Sequence, residues 1–277
     1  MKLFEIRDPK FGKAFDRISK ALIDNSPDGV EWVGDKNQAD YTVIHTVGGE
    51  QLAQMREMDL SKVINIQHCV FTTWSPIEEW EPIWEKTLLN VSFHDLKSYT
   101  TKEINALRIP WGADVNLFTN QGLKKHIDVF ATGHVADTEC IDLVYQACKN
   151  KDKVLYHTGE NFRYQAPNYK HLSYMDDTEF VKRLNSTRFT SCLRRMEGFE
   201  LMGIEGALCG AVPIVPRLPT YDFYEGFGEF VDMDGDIVSQ VENLLDGNYF
   251  MTGEKIEYVR DKFSWQTICS SFYGALG

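Results

Sequence analysis

The stretch RRMEGFELMGIEGALCGAVPIV, residues 194–215, decides the fold. Residues 201–208 are apolar apart from one glutamate, Gly210 follows them, and residues 212–215 form a short apolar run. This pattern predicts a turn, a buried helix, a glycine stop and a strand. Outward from it, short apolar runs alternate with amphipathic stretches along the whole chain. Such alternation favours parallel sheets covered by helices, an α/β fold, over a sandwich or a helical bundle.

The positions of these runs predict the elements and one domain boundary. Strands are predicted at residues 1–6, 41–45, 63–67, 90–93, 127–132, 154–157, 189–193 and 212–215. Predicted helices include residues 12–24, 137–150, 177–184, 201–209 and 236–245. The segment IPWGADVNLF, residues 109–118, is rich in turn formers and leads into a polar, basic stretch. We therefore predict a domain boundary after Phe118.

Composition and charge narrow the class of protein. With 277 residues, 43% of them hydrophobic, the chain can bury a sizeable core, and its net charge of −12 argues against a large non-specific nucleic-acid surface. The N-terminus MKLFEIRDPKFGKAF is charged throughout, and no apolar window approaches the length of a membrane span, so we expect a cytoplasmic protein. The six cysteines are far apart and lack a C-x-x-C pair, which predicts buried thiols in a reducing compartment.

Glu205 stands in the middle of the apolar helix predicted at residues 201–209. A buried carboxylate costs several kcal/mol unless it is paired or hydrogen-bonded, on the order of the penalty for any buried charge. The two hydroxyls of a ribose would satisfy both carboxylate oxygens at once. A salt bridge to Arg183 or Arg188 accounts for the composition equally well.

The start of the same helix has the features of an anion site. Gly198 and Phe199 open the helix, and free amides at a helix N-terminus together with the helix dipole favour a phosphate. Arg194 and Arg195 precede them and are able to neutralise a diphosphate, although two arginines at a strand end are more often a solvated or salt-bridged surface feature.

Several motifs together give the chain a resemblance to a known family. Glu197 and Glu205 form an E-x(7)-E signature, and an alanine, glycine and proline run, ALCGAVPIV, follows. In these features the chain resembles the retaining GT-B glycosyltransferases of the family 4 type. The similarity extends over nearly the whole chain, including residues 39–45, 65–68, 91–92, 109–118, 130–147, 173–180 and the FSW at 263–265.

The resemblance implies a fold and a reaction. The fold is GT-B, two Rossmann-like domains facing each other across a cleft: an acceptor domain at residues 1–118 and a sugar-nucleotide-binding domain at 119–261. The last helix, about residues 262–277, is expected to pack back on the first domain. The implied reaction is a hexosyltransferase-type transfer from a nucleoside diphosphate sugar, in the first place a UDP-sugar, to an acceptor hydroxyl with retention of configuration. No tightly bound cofactor and no metal ion are implied, because a helix dipole and cations stabilise the leaving diphosphate.

The resemblance also assigns roles to individual residues. As catalytic residues it implies Glu197, which contacts donor sugar hydroxyls, and His68, which contacts the sugar from the opposite wall. Glu205 is expected to bind the nucleotide ribose. The backbone around Gly198 and Phe199 is expected to bind sugar and diphosphate, and Gly133 to let the first loop of the second domain approach the phosphates.

Three positions depart from the family pattern. His134 replaces the usual arginine after the loop glycine, Glu139 replaces a lysine, and Glu200 replaces the second glycine of E-G-F-G. Each lost charged hydrogen bond removes roughly 1.5–3 kcal/mol, and we hypothesise that nearby arginines substitute. The complete predicted donor site is Gly133, His134, Arg194, Arg195, Gly198, Phe199, Glu200 and Glu205.

Other functions and contacts stay open at this point. The acceptor is a glycan, a lipid, a small molecule or, as in phage-type enzymes, a hydroxymethylated DNA base. A non-catalytic sugar-nucleotide or glycan-binding module is an alternative, and so is a phosphorylase or hydrolase on the same fold. Four further clusters each allow either a binding site or a purely structural role. Asp232-Met233-Asp234 would bind a metal ion, His157 would contact the donor, and residues 175–177 would contact the nucleotide base. The acceptor would be contacted by Trp74, Trp80 and Trp84.

Overall fold

The computed structural model describes residues 1–70, 76–133, 138–159, 166–173, 175–195 and 198–277. They divide into two compact units, Met1–Trp111 with Trp265–Gly277, and Gly112–Ser264. The chain thus enters the second unit before the boundary predicted after Phe118. Residues 112–118 pack within that unit, since the amide of Ala113 donates to the carbonyl of Phe263 (2.8 Å) and the ring of Phe118 is buried in its core.

The first unit is built on a six-stranded parallel sheet with the strand order β2-β1-β3-β4-β5-β6. Its strands are β1 (Lys2–Ile6), β2 (Glu31–Trp32), β3 (Tyr41–Thr46), β4 (Val63–Gln67), β5 (Leu89–Ser92) and β6 (Ala106–Arg108). Its α-helices are α1 (Gly12–Asp24), α2 (Gly49–Arg56), α3 (Ile77–Trp84) and, from the end of the chain, α9 (Trp265–Gly274). Strands β3 and β4 are buried almost throughout, as expected when helices cover both faces of a sheet.

Helix α9 packs against α1 in this unit. The hydroxyl of Tyr273 donates to the carbonyl of Leu22 at 2.6 Å and lies 3.1 Å from the hydroxyl of Ser26. Helix α9 therefore packs in the unit that the first residues of the chain begin.

The second unit repeats the architecture with the strand order β12-β11-β10-β7-β8-β9, again all parallel. Its strands are β7 (Ile127–Thr132), β8 (Leu155–Thr158), β9 (Tyr169–Leu172), β10 (Thr187–Ser191), β11 (Val212–Pro216) and β12 (Glu229–Val231). Its α-helices are α4 (Ile141–Asn150), α5 (Asp177–Asn185), α6 (Leu201–Leu208), α7 (Ile237–Asp246) and α8 (Gly253–Phe263).

Strand order also locates a crevice in each sheet. In the first sheet the chain moves outward from β1 to β2 and then returns to the other side of β1 with β3; in the second it moves from β7 to β8 and β9 and returns beside β7 with β10. At such a reversal the connections diverge to opposite faces and leave a crevice at the carboxyl ends of the strands, where ligands bind in α/β folds.

The structure confirms the predicted α/β class and its two parallel sheets. The eight predicted strands match β1, β3, β4, β5, β7, β8, β10 and β11 to within two residues at each end. Five of the six cysteines are buried and Cys69 is half-buried, and all six are free thiols. In the described part of the chain, no helix combines the length and apolar character needed to cross a bilayer.

Candidate functional site

The predicted donor residues of the second unit gather at the reversal between β7 and β10. Gly133 follows β7, and Arg194 and Arg195 follow β10 by a few residues. Gly198, Phe199 and Glu200 lead directly into α6, with Glu200 at its N-cap. Two predicted site residues, Glu197 and His134, lie outside the described residues.

Helix α6 is buried against the sheet, as its apolar sequence predicts. Every residue from Met202 to Leu208 is buried, and Glu205 is 4% exposed. A methyl group on Gly203 would lie 2.7 Å from the ring of Tyr224 and 2.9 Å from the sulfur of Cys192, so only glycine allows this approach. Glu205 is buried on the same helix, and the oxygens of a buried carboxylate require hydrogen-bond partners.

The two arginines proposed from composition as partners of Glu205 are engaged elsewhere. Arg183 forms an ion pair with Glu179 on its own helix at 2.6 Å. The guanidinium of Arg188 donates to the carbonyls of Leu245 and Gly247 at the end of α7. The structure thus does not support a salt bridge between Glu205 and either Arg183 or Arg188.

Arg194 lies between the two acids that depart from the family pattern. Its Nε is 2.5 Å from Oε1 of Glu200, and its Nη1 is 3.4 Å from Oε1 of Glu139. The three side chains are 29%, 15% and 10% exposed, respectively. Burial raises the pKa of the Glu200 carboxyl, although Arg194 opposes this effect. Burial by itself would lower the pKa of Arg194, but Glu200 and Glu139 reverse the direction and raise it.

Glu139 also fills the space beside the glycine loop. Gly133 has φ +119°, and a Cβ on it would lie 1.8 Å from Oε2 of Glu139. His157, buried, bonds the Gly133 carbonyl through Nε2 (3.0 Å) and the hydroxyl of Tyr169 through Nδ1 (2.9 Å). Within the described residues, Oε2 of Glu139 is a buried oxygen without a hydrogen-bond partner. Gly133 is therefore held by His157, with an unsatisfied carboxylate oxygen of Glu139 against it.

These contacts bear on the hypothesis that arginines replace the missing phosphate cations. Arg194 is at the predicted place, but it is already paired with two carboxylates, so the group of three carries a net charge of −1 when both acids are ionised. Arg195 is exposed, its backbone amide donates to Thr138 (2.7 Å), and its side chain forms no ion pair with any described residue. Sequence reasoning named all three charged residues without detecting that they interact.

A cavity of about 310 Å³ lies beside the carboxyl end of β9 and the start of α5. It is lined by Leu172, Ser173, Met175, Asp176, Glu179 and Arg183. Asp176 caps α5 by accepting a hydrogen bond from the amide of Glu179 at 2.8 Å. This is the segment for which the sequence left nucleotide-base contact and helix capping open; the capping is observed.

In the first unit, His68 follows β4 and is 5% exposed. Its Nε2 lies 2.9 Å from Nδ1 of His45, and Nε2 of His45 lies 3.0 Å from Oε1 of Glu5. Burial, with repulsion from His45 and His94, lowers the pKa of His68 well below its ordinary value. The sequence singled out His68 and, as the histidine at the end of the segment 39–45, His45, but it did not predict that they contact each other or Glu5, because only strand order brings β1, β3 and β4 together.

The remaining clusters have structural roles. Trp80 and Trp84 are buried and stack at 6.3 Å, so acceptor contact through them is not supported; Trp74 lies outside the described residues. Asp232 accepts a hydrogen bond from the amide of Asp234 in a turn. Among the residues that the structure describes, no group of three or more His, Cys, Asp or Glu side chains is placed to hold a metal ion.

Comparisons with known proteins agree with this architecture. The structure is similar to a sucrose-phosphate synthase from Thermosynechococcus elongatus (TM-score 0.70, 13% identity, 99% of this chain and 98% of that chain). It is similar to AviGT4, a glycosyltransferase involved in avilamycin A biosynthesis, with a TM-score of 0.63 and 11% identity over 99% of this chain and 96% of that chain. It also resembles the pneumococcal O-GlcNAc transferase GtfA in complex with UDP and GlcNAc, with a TM-score of 0.62 and 13% identity over 87% of this chain and 57% of that chain. No protein-family model and no curated protein sequence matches the chain. The chain thus has the GT-B fold of glycosyltransferases, as the sequence predicted.

Proposed function

We propose that the chain is a glycosyltransferase that moves a sugar from a nucleoside diphosphate sugar to an acceptor hydroxyl with retention of configuration. One observation carries this proposal above the others. Glu205 is 4% exposed in α6, the apolar helix that begins directly after Gly198, Phe199 and Glu200 and follows β10, one of the two strands at the reversal of a Rossmann-like sheet. A carboxylate in that position suits the paired hydroxyls of a ribose.

The proposed donor extends along the carboxyl edge of the second sheet. Its ribose bonds Glu205, and its diphosphate lies at the first amides of α6, near Gly133, where the helix dipole favours negative charge. The base occupies the cavity of about 310 Å³ beside α5, which is large enough for a pyrimidine ring. A UDP-sugar is the first candidate because the similar GtfA was solved with UDP and GlcNAc.

The proposed chemistry is electrostatic. Fixed amide dipoles and a guanidinium stabilise charge on the departing diphosphate, so neither a metal ion nor a protein nucleophile has a step of its own. Glu197 and His68 are proposed to contact hydroxyls of the transferred sugar. Retention follows the E-x(7)-E resemblance, and the proposed acceptors are a glycan, a lipid, a small molecule or a modified DNA base.

The proposal is tested by isothermal titration of UDP-, GDP-, ADP- and CDP-sugars into the wild-type protein and the E205Q variant. We expect one sugar nucleotide to bind, and E205Q to weaken it about tenfold to a hundredfold, because charged hydrogen bonds contribute roughly 1.5–3 kcal/mol each. The matched control is E254Q, which neutralises an exposed acid in the first turn of α8 and should leave binding unchanged. Equal affinity of wild type and E205Q would refute the assigned role.

A second function has its own observation in favour. Glu139 and Glu200 surround the arginine that a leaving diphosphate requires, which suits a module that binds a sugar nucleotide or glycan without turnover. Product release measured with and without candidate acceptors distinguishes the functions. Acceptor-dependent release supports the transferase, binding without release supports the module, and acceptor-independent release supports a hydrolase.

A further inference from the structure

Two glycines meet at the carboxyl ends of β7 and β8. Gly133 follows β7 with φ +119°, and Gly159 follows β8 with φ +150°. A Cβ on Gly159 would lie 1.8 Å from the carbonyl oxygen of Gly133, so this approach requires a glycine. Nε2 of His157, on β8, lies 3.0 Å from the same oxygen. The carbonyl of Gly133 therefore contacts both the neighbouring glycine and the ring of His157.

The partners of His157 fix where its proton lies. A carbonyl oxygen only accepts, so Nε2 of His157 must donate to Gly133. Burial lowers the pKa of His157, although the bond to Gly133 opposes this effect, so the ring is neutral at pH 7. Nδ1 then carries a lone pair, which accepts from the hydroxyl of Tyr169 at 2.9 Å. Burial raises the pKa of Tyr169, so that hydroxyl keeps its proton and donates it.

The second glycine is held in the same way. His171 on β9, the register partner of His157, donates from Nε2 to the carbonyl of Gly159 at 2.8 Å. His157 is fully buried and Tyr169 is 7% exposed, whereas His171 is exposed. The chain thus places a histidine N–H on the glycine carbonyl that follows each of two adjacent strands, and the buried histidine is the one that has a hydrogen-bond partner on each of its nitrogens.

The direction of the Gly133 carbonyl affects any anion bound beside it. Glycine adopts many backbone conformations, so Gly133 alone does not fix this direction. A carbonyl oxygen carries partial negative charge and would repel a phosphate that it faced. His157 bonds the oxygen on the β8 side of β7, whereas α6 packs on β10 and β11, on the other side of β7. The hydrogen bond therefore directs the carbonyl away from the first amides of α6.

We propose that His157 and Tyr169 are positioning residues whose hydrogen bonds hold the Gly133 carbonyl turned away from the diphosphate of a bound sugar nucleotide. This inference deepens the proposed function, because it rests on the diphosphate lying near Gly133. It gives a role to Tyr169, which the motifs did not name. It also decides for His157, where the sequence left donor contact and a structural role open, in favour of holding the donor loop.

The first test needs no ligand. Long-range ¹H–¹⁵N correlation spectra of the ¹⁵N-labelled full chain at pH 7 report the tautomer of each histidine ring. We expect His157 to be neutral and protonated at Nε2. Crystal structures of two variants should then show the Gly133 carbonyl turned in H157L and unchanged in H157Q, whose amide N–H can still donate to it. A His157 ring protonated at Nδ1 or at both nitrogens, or an unchanged carbonyl in H157L, would overturn the proposal.

The second test separates positioning from general damage to the site. Titration with UDP should show about tenfold weaker binding to H157L, with most of the loss recovered in H157Q, because one neutral hydrogen bond is at stake. Y169F keeps the bond to Gly133 but loses the group that fixes the tautomer, so its affinity should lie between those of wild type and H157L. Uridine, which lacks the diphosphate, should bind wild type and all three variants alike in ligand-observed NMR titrations.

The control is H126N, at an exposed histidine of the second unit, which should bind UDP like wild type. Equal losses of UDP and uridine affinity in H157L, or no recovery in H157Q, contradict a positioning role, and wild-type affinity in Y169F removes Tyr169 from it. If the wild-type protein binds no sugar nucleotide, the proposed function fails, while the spectra and the variant structures still decide whether His157 holds the Gly133 carbonyl.

Discussion

Removing the charge of Arg194 is the most informative single perturbation of the second unit. R194M keeps a side chain of similar length but leaves Glu200 and Glu139 without their common counter-ion. Those carboxylates are 15% and 10% exposed, and they lie 2.5 Å and 3.4 Å from the guanidinium. Breaking a buried ion pair from one side costs about 3–5 kcal/mol, and the partial exposure puts our expectation at about 3 kcal/mol.

The loss should depend on pH with a definite sign. Burial raises the pKa of Glu200 and Arg194 opposes this effect, so without Arg194 the folded-state pKa of Glu200 rises further above its unfolded value. An acid with a raised folded pKa destabilises the native state at high pH, and the penalty is relieved as the pH falls through that pKa. The stability difference between wild type and R194M should therefore shrink between pH 7 and pH 5.

Urea unfolding at the two pH values measures this effect. The control R195M removes a neighbouring exposed arginine and should stay within about 0.5 kcal/mol of wild type. The triple variant R194M/E139Q/E200Q removes the uncompensated charges and should recover most of the loss. A loss below about 1 kcal/mol in R194M, or one that does not change with pH, would refute the interpretation of these residues as a coupled buried group.

Three further perturbations follow from the same geometry. The double variant E139Q/E200Q frees Arg194 for a diphosphate and should tighten UDP binding about tenfold by titration, since charged hydrogen bonds contribute roughly 1.5–3 kcal/mol; unchanged or weaker binding would contradict this. G133A places a Cβ against Glu139 at a positive φ, and it should lower the free energy of unfolding, measured in urea, more than G122A does. At Gly122 the φ is also positive, but nothing lies within 4 Å. Equal losses of about 1–3 kcal/mol in the two variants would leave backbone strain alone as the cause. D236A removes the cap of α7 and should lower the midpoint of urea unfolding at pH 7. Hydrogen bonds within the first turn lower the pKa of Asp236, so its contribution is present above pH 4 and disappears in acid; a cost that persists at pH 2 would refute the capping role.

The inner strands were predictable from the sequence, and the outer ones were not. The four strands that the apolar runs did not reveal, β2, β6, β9 and β12, are the edges of the two sheets. They are two to four residues long and only partly buried, so they lack the continuous apolar run of a strand covered on both sides.

The candidate site was predicted as residues but not as interactions. The sequence identified Arg194, Glu139 and Glu200 separately, as a possible cation and two departures from a family pattern. Their pairing depends on β7 lying beside β10, a neighbour relation between strands about sixty residues apart that no local spacing encodes. The Glu5–His45 bond depends in the same way on β1 pairing with β3.

The division of the first unit into two chain segments has a consequence for synthesis. Residues 1–111 contain all six strands of its sheet, but helix α9, whose Tyr273 bonds α1, is translated after residues 112–264 of the second unit. Because chains emerge from the ribosome at roughly 5–20 residues per second, the second unit is made in full before the first can complete its packing. The nascent first sheet therefore waits for several seconds or more with the α1 surface uncovered, and a ribosome-bound chain arrested before residue 265 should be more sensitive to protease at α1 than the released protein.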